Sequence, residues 1–354
     1  MANEKDKIAH ARKDAHLDLA KSPDHQAHIA HPFDSIHLQH DALPNLDLNH
    51  INISTRFCGR LFSAPFFIGA MTGGTDRADA INHALIEVAE AQNIPLALGS
   101  QRASLASGRT QKALRKTATN AFLIGNLGIT QLAASDGQDM AKRAMEDIEA
   151  DAMAIHLNPA QEAAQIEGDH NWKGAQDALA DFISSCPIPV IVKEVGAGIN
   201  GALATRLWAM GASYVDVAGL GGTNWTRIEA ARHQNHGPHT QINQRIEVLT
   251  PFLDWGLDTV SALQQARQAS QEGGLIASGG IRNGLDVAKS LALGADMVCA
   301  ASPFLTSLEA DDGRLSPPHL AEKMMIWSEQ IKLACFLTNT ARPSALRGKI
   351  RNKY

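Results

Sequence analysis

Eight short apolar runs punctuate the 354-residue chain, at 66–71, 95–99, 122–125, 152–156, 189–192, 214–217, 274–277 and 297–301. Seven of them break into polar or glycine-rich residues, such as Thr72-Gly73-Gly74, Ser100-Gln101-Arg102 and Ser278-Gly279-Gly280; the eighth ends on the small Ala300 and Ala301. Runs this short and apolar throughout suit strands covered on both faces, as in an all-parallel sheet. Helical spacing fills most gaps between them, at 80–92, 141–149, 175–185 and 284–293. Eight strand–helix alternations predict an α/β fold of the (β/α)8 TIM-barrel kind, running from about residue 66 to about 305. Such barrels carry their chemistry at the C-terminal strand ends, where these polar breaks fall.

Residues 1–60 differ from the rest. They hold eight of the 15 histidines, at irregular spacing and without a Cys or carboxylate cluster, which reads as an N-terminal extension rather than a metal site. We expect it to fold over the barrel mouth, with residues 61–354 forming the barrel and a closing helix at 320–337. The connection 224–273 after the sixth strand is twice as long as the others. Its polar middle, 233–244, reads as a lid-like loop.

Four widely separated cysteines (Cys58, Cys186, Cys299, Cys335) contain no CxxC pair and read as reduced thiols. The charged start has no apolar leader core, and no run reaches the roughly 18 residues of a membrane span. A formal charge of −5 argues against a general binder of nucleic acid or anionic membranes. The expectation is a cytoplasmic protein whose anion sites, if any, are local.

The strand ends suggest such sites. Ser278-Gly279-Gly280-Ile281-Arg282 precedes a helix, a place where backbone amides and the helix dipole favour a phosphate; a tight turn that only needs glycine would look the same. Lys193 follows three β-branched residues and should reach the barrel mouth, facing either an anionic ligand or a strand-end carboxylate such as Glu194. In His156-Leu157-Asn158-Pro159-Ala160-Gln161-Glu162, alternation turns His156 and Asn158 toward the mouth. Glu162 is suited either to Mg²⁺ or to helix capping. Ser100, Gln101 and Arg102 offer a hydroxyl, an amide and a guanidinium fork. Arg12-Lys13-Asp14-Ala15-His16 is a compact cationic cluster.

Taken in order, Arg12–His16, Met71–Gly74, Gly99–Arg102, Asn126–Gly128, His156–Glu162, Val192–Gly196, Gly221–Trp225 and Ser278–Arg282 resemble the flavin-dependent, type 2 isopentenyl-diphosphate isomerases. Ala15 departs from the acidic residue usual there. The resemblance implies a homo-oligomeric FMN barrel that interconverts isopentenyl and dimethylallyl diphosphate with Mg²⁺, its flavin kept reduced by NADPH. It implies FMN contacts at Met71, Thr72, Gly73, Ser100, Asn126, Lys193, Thr223, Gly279, Gly280, Arg282, Ala300 and Ala301. Substrate falls to Arg12, Lys13, Ser100, Gln101, Arg102 and Gln161, the metal to Glu162, and catalysis to His156, Gln161 and Lys193. Two other readings stay open at this point. One is an FMN barrel oxidase of small hydroxy acids, although the sixth strand end lacks a histidine base. The other is a non-catalytic barrel that binds flavin or phosphate.

Overall fold

The computed structural model describes residues 16–71, 73–234, 246–310 and 312–351. Arg12, Lys13 and Thr72, three of the expected site residues, lie outside them. A two-stranded antiparallel hairpin comes first, β1 (Thr55–Phe57) and β2 (Arg60–Phe62). Eight strands follow: β3 (Phe66–Ile68), β4 (Leu96–Ala97), β5 (Leu123–Gly128), β6 (Ala152–Leu157), β7 (Val190–Glu194), β8 (Tyr214–Asp216), β9 (Gly274–Ala277) and β10 (Met297–Ala300). They close into a barrel in the order β10-β3-β4-β5-β6-β7-β8-β9, every pair parallel. The eight apolar runs are therefore the eight barrel strands.

Their ends shift for local reasons. β3 ends at Ile68, and Gly69 after it stays close to β10, its N donating to Ala300 O at 2.8 Å where a Cβ would stand 2.7 Å from Cys299 Sγ. β5 continues to Gly128, since Asn126 and Gly128 still pair with Ala154 and His156. Helix starts move too. The first long helix, Asp76–Ala91, begins before the expected residue 80 because Thr75 Oγ1 accepts the Ala78 amide. One register line matters for the site: Gly128, His156, Lys193, Asp216 and Ile276 are consecutive partners across β5 to β9. Side chains on such a line share one face of the sheet.

The long connection after β8 is not a bare loop. It contains the helices Trp225–Gln234 and Thr259–Ala269. Residues 235–245, most of the expected lid, lie outside the described residues.

The N-terminal extension does two jobs. Residues 16–34 sit at the barrel top, where Ala27 N donates to Gly222 O at 2.8 Å and Asn224 N to His25 O at 2.9 Å. The chain then runs down the side, Gln39 N bonding Lys349 O and Asp41 N bonding Leu337 O, and ends as the hairpin under the barrel. There Phe57, 1 % exposed, packs on Phe62, Phe67, Phe122 and Tyr214. A mouth-covering module of residues 1–60 is thus too simple, because its second half plugs the floor. Phe57→Ala should lower stability by about 3–5 kcal/mol in chemical unfolding; a loss under 1 kcal/mol would mean the hairpin is ornamental.

The C-terminal helix Pro317–Leu337 buries Trp327 against Phe66 and Phe304, with ring centroids 5.7 and 4.6 Å away. It closes the seam where the first and last strands meet. Among the described residues, no helix is long and apolar enough to cross a membrane.

Candidate active site

A cavity of about 1160 Å³ opens at the C-terminal ends of the strands. Met71, Ser100, Arg102, Asn126, His156, Gln161, Glu162, Lys193, Thr223, Gly279, Gly280, Arg282, Ala300 and Ala301 all line it. Two expected residues do not. Gly73 stands behind the wall, its missing Cβ position 3.6 Å from Ser100 O. Gln101 is turned into the protein, with Nε2 donating to Ala144 O at 2.9 Å and Oε1 accepting from Asn126 N at 3.1 Å. Its role is therefore to hold Asn126 from behind, and its amide cannot also grip a ligand in the cavity.

Asn126 in turn orients His156. Its Nδ2 donates to Leu98 O at 3.0 Å, which leaves Oδ1 facing His156 Nδ1 at 2.9 Å. Nδ1 must then carry the proton, and in the neutral ring Nε2 is the basic nitrogen.

The short helix after β6, Pro159–Ala164, and its flanks form the second cluster. Asn158 Nδ2 donates to Gln161 Oε1 (3.2 Å) and Glu162 Oε1 (3.0 Å), and Asp169 N donates to Glu162 Oε2 (2.8 Å). Asp169 also faces Arg102 at 3.5 Å. Sequence reasoning missed the centre of this network, Glu229, on the helix after β8 and 1 % exposed. It accepts from Gln161 Nε2 (3.1 Å), Gln165 Nε2 (3.0 Å) and Arg232 Nη1, with His16 Nε2 3.0 Å away. Burial pushes its carboxyl up, but His16, Arg232 and Gln161 together pull it down further, to about 2. His16, the last residue of the cationic cluster, thus reaches the cavity wall.

On the adjacent strand β7, in register with His156, Lys193 Nζ donates to the Glu194 carbonyl at 2.5 Å. Glu194's carboxylate faces the other way and accepts the amides of Val195, Gly196 and Ala197. Among the described residues no carboxylate lies within ion-pair distance of Lys193, so its charge is turned to the cavity without a direct counterion.

The β9 end is built from backbone. Thr259 Oγ1 donates to Gly279 O at 2.8 Å, and His31 Nε2 lies 2.7 Å from Gly280 O. Arg282 is held by Asp34 (2.7 Å) and Asp286 (2.9 Å). The following helix spends its first amides on the protein, Gly284 N on Gln330 and Asp286 N on Asn283. Among the described residues, the Gly280 and Ile281 amides meet no protein acceptor. An anion would therefore meet the glycine turn ahead of the helix, beside an Arg282 side chain whose Nε and Nη2 are held by the two carboxylates.

Residues 109–334 match the FMN-dependent dehydrogenase family. Among solved structures, a chimera of (S)-mandelate dehydrogenase superposes with a TM-score of 0.65 at 17 % identity, over 99 % of this chain and 92 % of that one. A mandelate oxidase superposes with a TM-score of 0.62 at 16 % identity, over 98 % and 96 %. At that identity the likeness is one of fold. Sequence relatives are far nearer. Isopentenyl-diphosphate delta-isomerase of Xanthobacter autotrophicus is 42 % identical over 95 % of both chains. The enzyme of that name from Cronobacter sakazakii is 41 % identical over 97 % of this chain and 96 % of its own. Its namesake from Pyrococcus abyssi is 40 % identical over 83 % and 80 %. At this identity over nearly its whole length, and with a cavity of this make-up at its barrel mouth, the chain belongs to the isopentenyl-diphosphate delta-isomerase family.

Proposed function

We propose that this enzyme interconverts isopentenyl and dimethylallyl diphosphate on reduced FMN, with Mg²⁺ bridging the diphosphate and NADPH as reductant, as a cytoplasmic homo-oligomer. The observation that carries the reading is the make-up of one cavity. Its wall holds His156, Gln161 and Glu162 at and after the β6 end, Lys193 beside His156 on the adjacent β7, and the Gly280–Ile281 turn after β9, with Glu229 behind Gln161.

The cavity suits FMN. Small residues Ala300 and Ala301 leave room along one wall, the unspent amides suit its phosphate, and Lys193 suits a ring that carries negative charge. When bound, the reduced flavin supplies a proton donor and a negative charge beside the double bond. The protein supplies the rest. Lys193 would hold its ammonium toward the ring. Asn126, fixed by Gln101, keeps His156 in one tautomer, and the imidazole would lie beside the substrate. Glu229 orients Gln161, whose amide would lie near the reacting carbons. Arg102 and the N-terminal cations Arg12 and Lys13 would clamp the diphosphate, so that the alkene lies over the ring.

Glu162 is one carboxylate, and among the described residues no three His, Cys, Asp or Glu side chains converge on a common point. It therefore suits a Mg²⁺ ion that draws its other oxygens from diphosphate and water. Hydroxy-acid oxidation fits less well: among the described residues the histidines lining the cavity are His16, His31 and His156, none belonging to the β8 or β9 segments, and His31, which reaches the β9 end from the N-terminal segment, is bonded to Gly280 O.

The test is direct. Purified protein should be yellow, bleach with NADPH, and then isomerise a five-carbon diphosphate; failure to isomerise when reduced and supplied with Mg²⁺ defeats the proposal. Glu162→Gln should raise the Mg²⁺ needed for half-maximal rate at least tenfold with flavin content unchanged. An unaltered Mg²⁺ profile would make Glu162 a loop carboxylate only.

A further inference from the structure

Asp216 ends β8 with 1 % of its surface exposed, and the chemistry proposed above does not use it. It is the register partner of Lys193 on β7, so the two side chains project into the barrel interior from adjacent strands. Its Oδ1 accepts from Ser278 Oγ at 2.5 Å and from Ala218 N at 3.3 Å. Ser278 and Ala218 are themselves on the cavity wall, as is Cys299, while Asp216 lies just behind it.

Holding Ala218, whose φ of +38 is unusual for a side-chain-bearing residue, is one task for this acceptor. An asparagine carbonyl would do that equally well, so the two hydrogen bonds do not explain a carboxylate. A carboxylate buried without an ion pair is costly unless a nearby cation offsets it. Burial holds this carboxyl above the ordinary carboxylate range, with Lys193 the cation that pulls against it, and both of its hydrogen bonds are accepted ones.

We infer that Asp216 is a positioning residue whose carboxylate partly cancels the field of Lys193 and so sets how strongly the site favours reduced over oxidised flavin. The inference rests on reading the cavity as an FMN site. Lys193 alone would stabilise a reduced, anionic ring; a fixed negative charge one strand away tempers that preference, so that the flavin is held reducible without being locked in one state.

The experiment is a spectroelectrochemical titration of the FMN-loaded protein, comparing the parent with Asp216→Asn and Lys193→Met. Asp216→Asn keeps the size and the acceptor oxygen but removes the charge. At fixed poise its ratio of reduced to oxidised flavin should rise about tenfold, equivalent to about 30 mV for this two-electron couple, with flavin content as in the parent. Lys193→Met should shift the ratio the opposite way. An unchanged or lowered ratio in Asp216→Asn, beside a clear shift in Lys193→Met, overturns the inference and leaves Asp216 an anchor for Ser278 and Ala218. If the parent takes up no FMN, it is the cofactor reading that fails; if FMN binds and Lys193→Met shifts nothing, the inference falls, because Lys193 then sets no field for Asp216 to temper.

Discussion

Gly279→Ala is expected to destabilise the protein by about 3–5 kcal/mol and to strip it of flavin in the same step. Gly279 has φ +97, a conformation that costs an L-residue roughly 1–2 kcal/mol. A Cβ built there would stand 2.0 Å from Gly219 O and 2.7 Å from Thr259 Oγ1. Neither neighbour is free to yield. Gly219 N bonds Ser278 O, and Thr259 Oγ1 is held by carbonyls on both strand ends. Overpacking against fixed backbone adds about 1–3 kcal/mol or more. Gly280 is little better, with φ +73 and a Cβ position 2.5 Å from Gly221 O. A bulky residue at Gly280 therefore cannot serve as a clean, fully folded test of flavin binding, which the spacing of glycines alone would suggest. Gly73→Ala is the control, since the nearest atom to its Cβ is 3.6 Å away. Thermal melts should place Gly279→Ala roughly 10 °C below the parent, with Gly73→Ala close to it. A Gly279→Ala melt within a degree of the parent would show that the two strand ends move apart at little cost.

How much of this was legible in the sequence follows from what each element needs. Parallel strands with both faces covered must be apolar along their length, so all eight stand out. The hairpin that floors the barrel has three residues per strand and only Phe57 and Phe62 inside, too short for any period to register. Helix starts depended on caps such as Thr75 and Asn283, which sit outside the apolar pattern. Cavity residues on strand ends were readable because alternation and the break from apolar to polar place them. Gln101 misled because it lies just past β4, where alternation no longer says which way a side chain turns. Glu229 was hidden for a different reason. On the helix Trp225–Gln234 it pairs with Arg232 three residues on, the pattern of a solvated helix face. Only packing against Gln161 and Gln165, on the short helix after β6 and its C-cap, turns that pair inward. His16 and His31 likewise gain meaning only when residues 16–34 are laid on the β8 and β9 ends, whereas His50 stays in solvent.

Glu229 is also where acid should act on the site. Its folded pKa of about 2 lies well below the ordinary 4.5. A carboxylate of this kind contributes stability that is complete above its unfolded pKa and is lost as pH falls through the folded one. The window is therefore about pH 4.5 down to about 2, and the contribution is on the order of 3 kcal/mol. Glu229→Gln removes the titrating group but keeps the shape. Denaturant melts at pH 7 should find it about 3 kcal/mol less stable than the parent, with the gap closing as pH approaches 2.5. A gap that is constant from pH 7 to pH 3 would show that the loss is one of packing rather than charge. Glu229→Ala should be worse, by about 3–5 kcal/mol, because it leaves Arg232 half-buried with only Glu167 at 3.1 Å. The same substitution frees Gln161 and removes the carboxylate beside His16. Isomerisation should then fall by at least a hundredfold while flavin content holds, since Glu229 does not itself line the cavity and reaches it through Gln161 and His16. Flavin lost in proportion to activity would mean instead that Glu229 supports the whole barrel mouth and has no separate part in orienting Gln161.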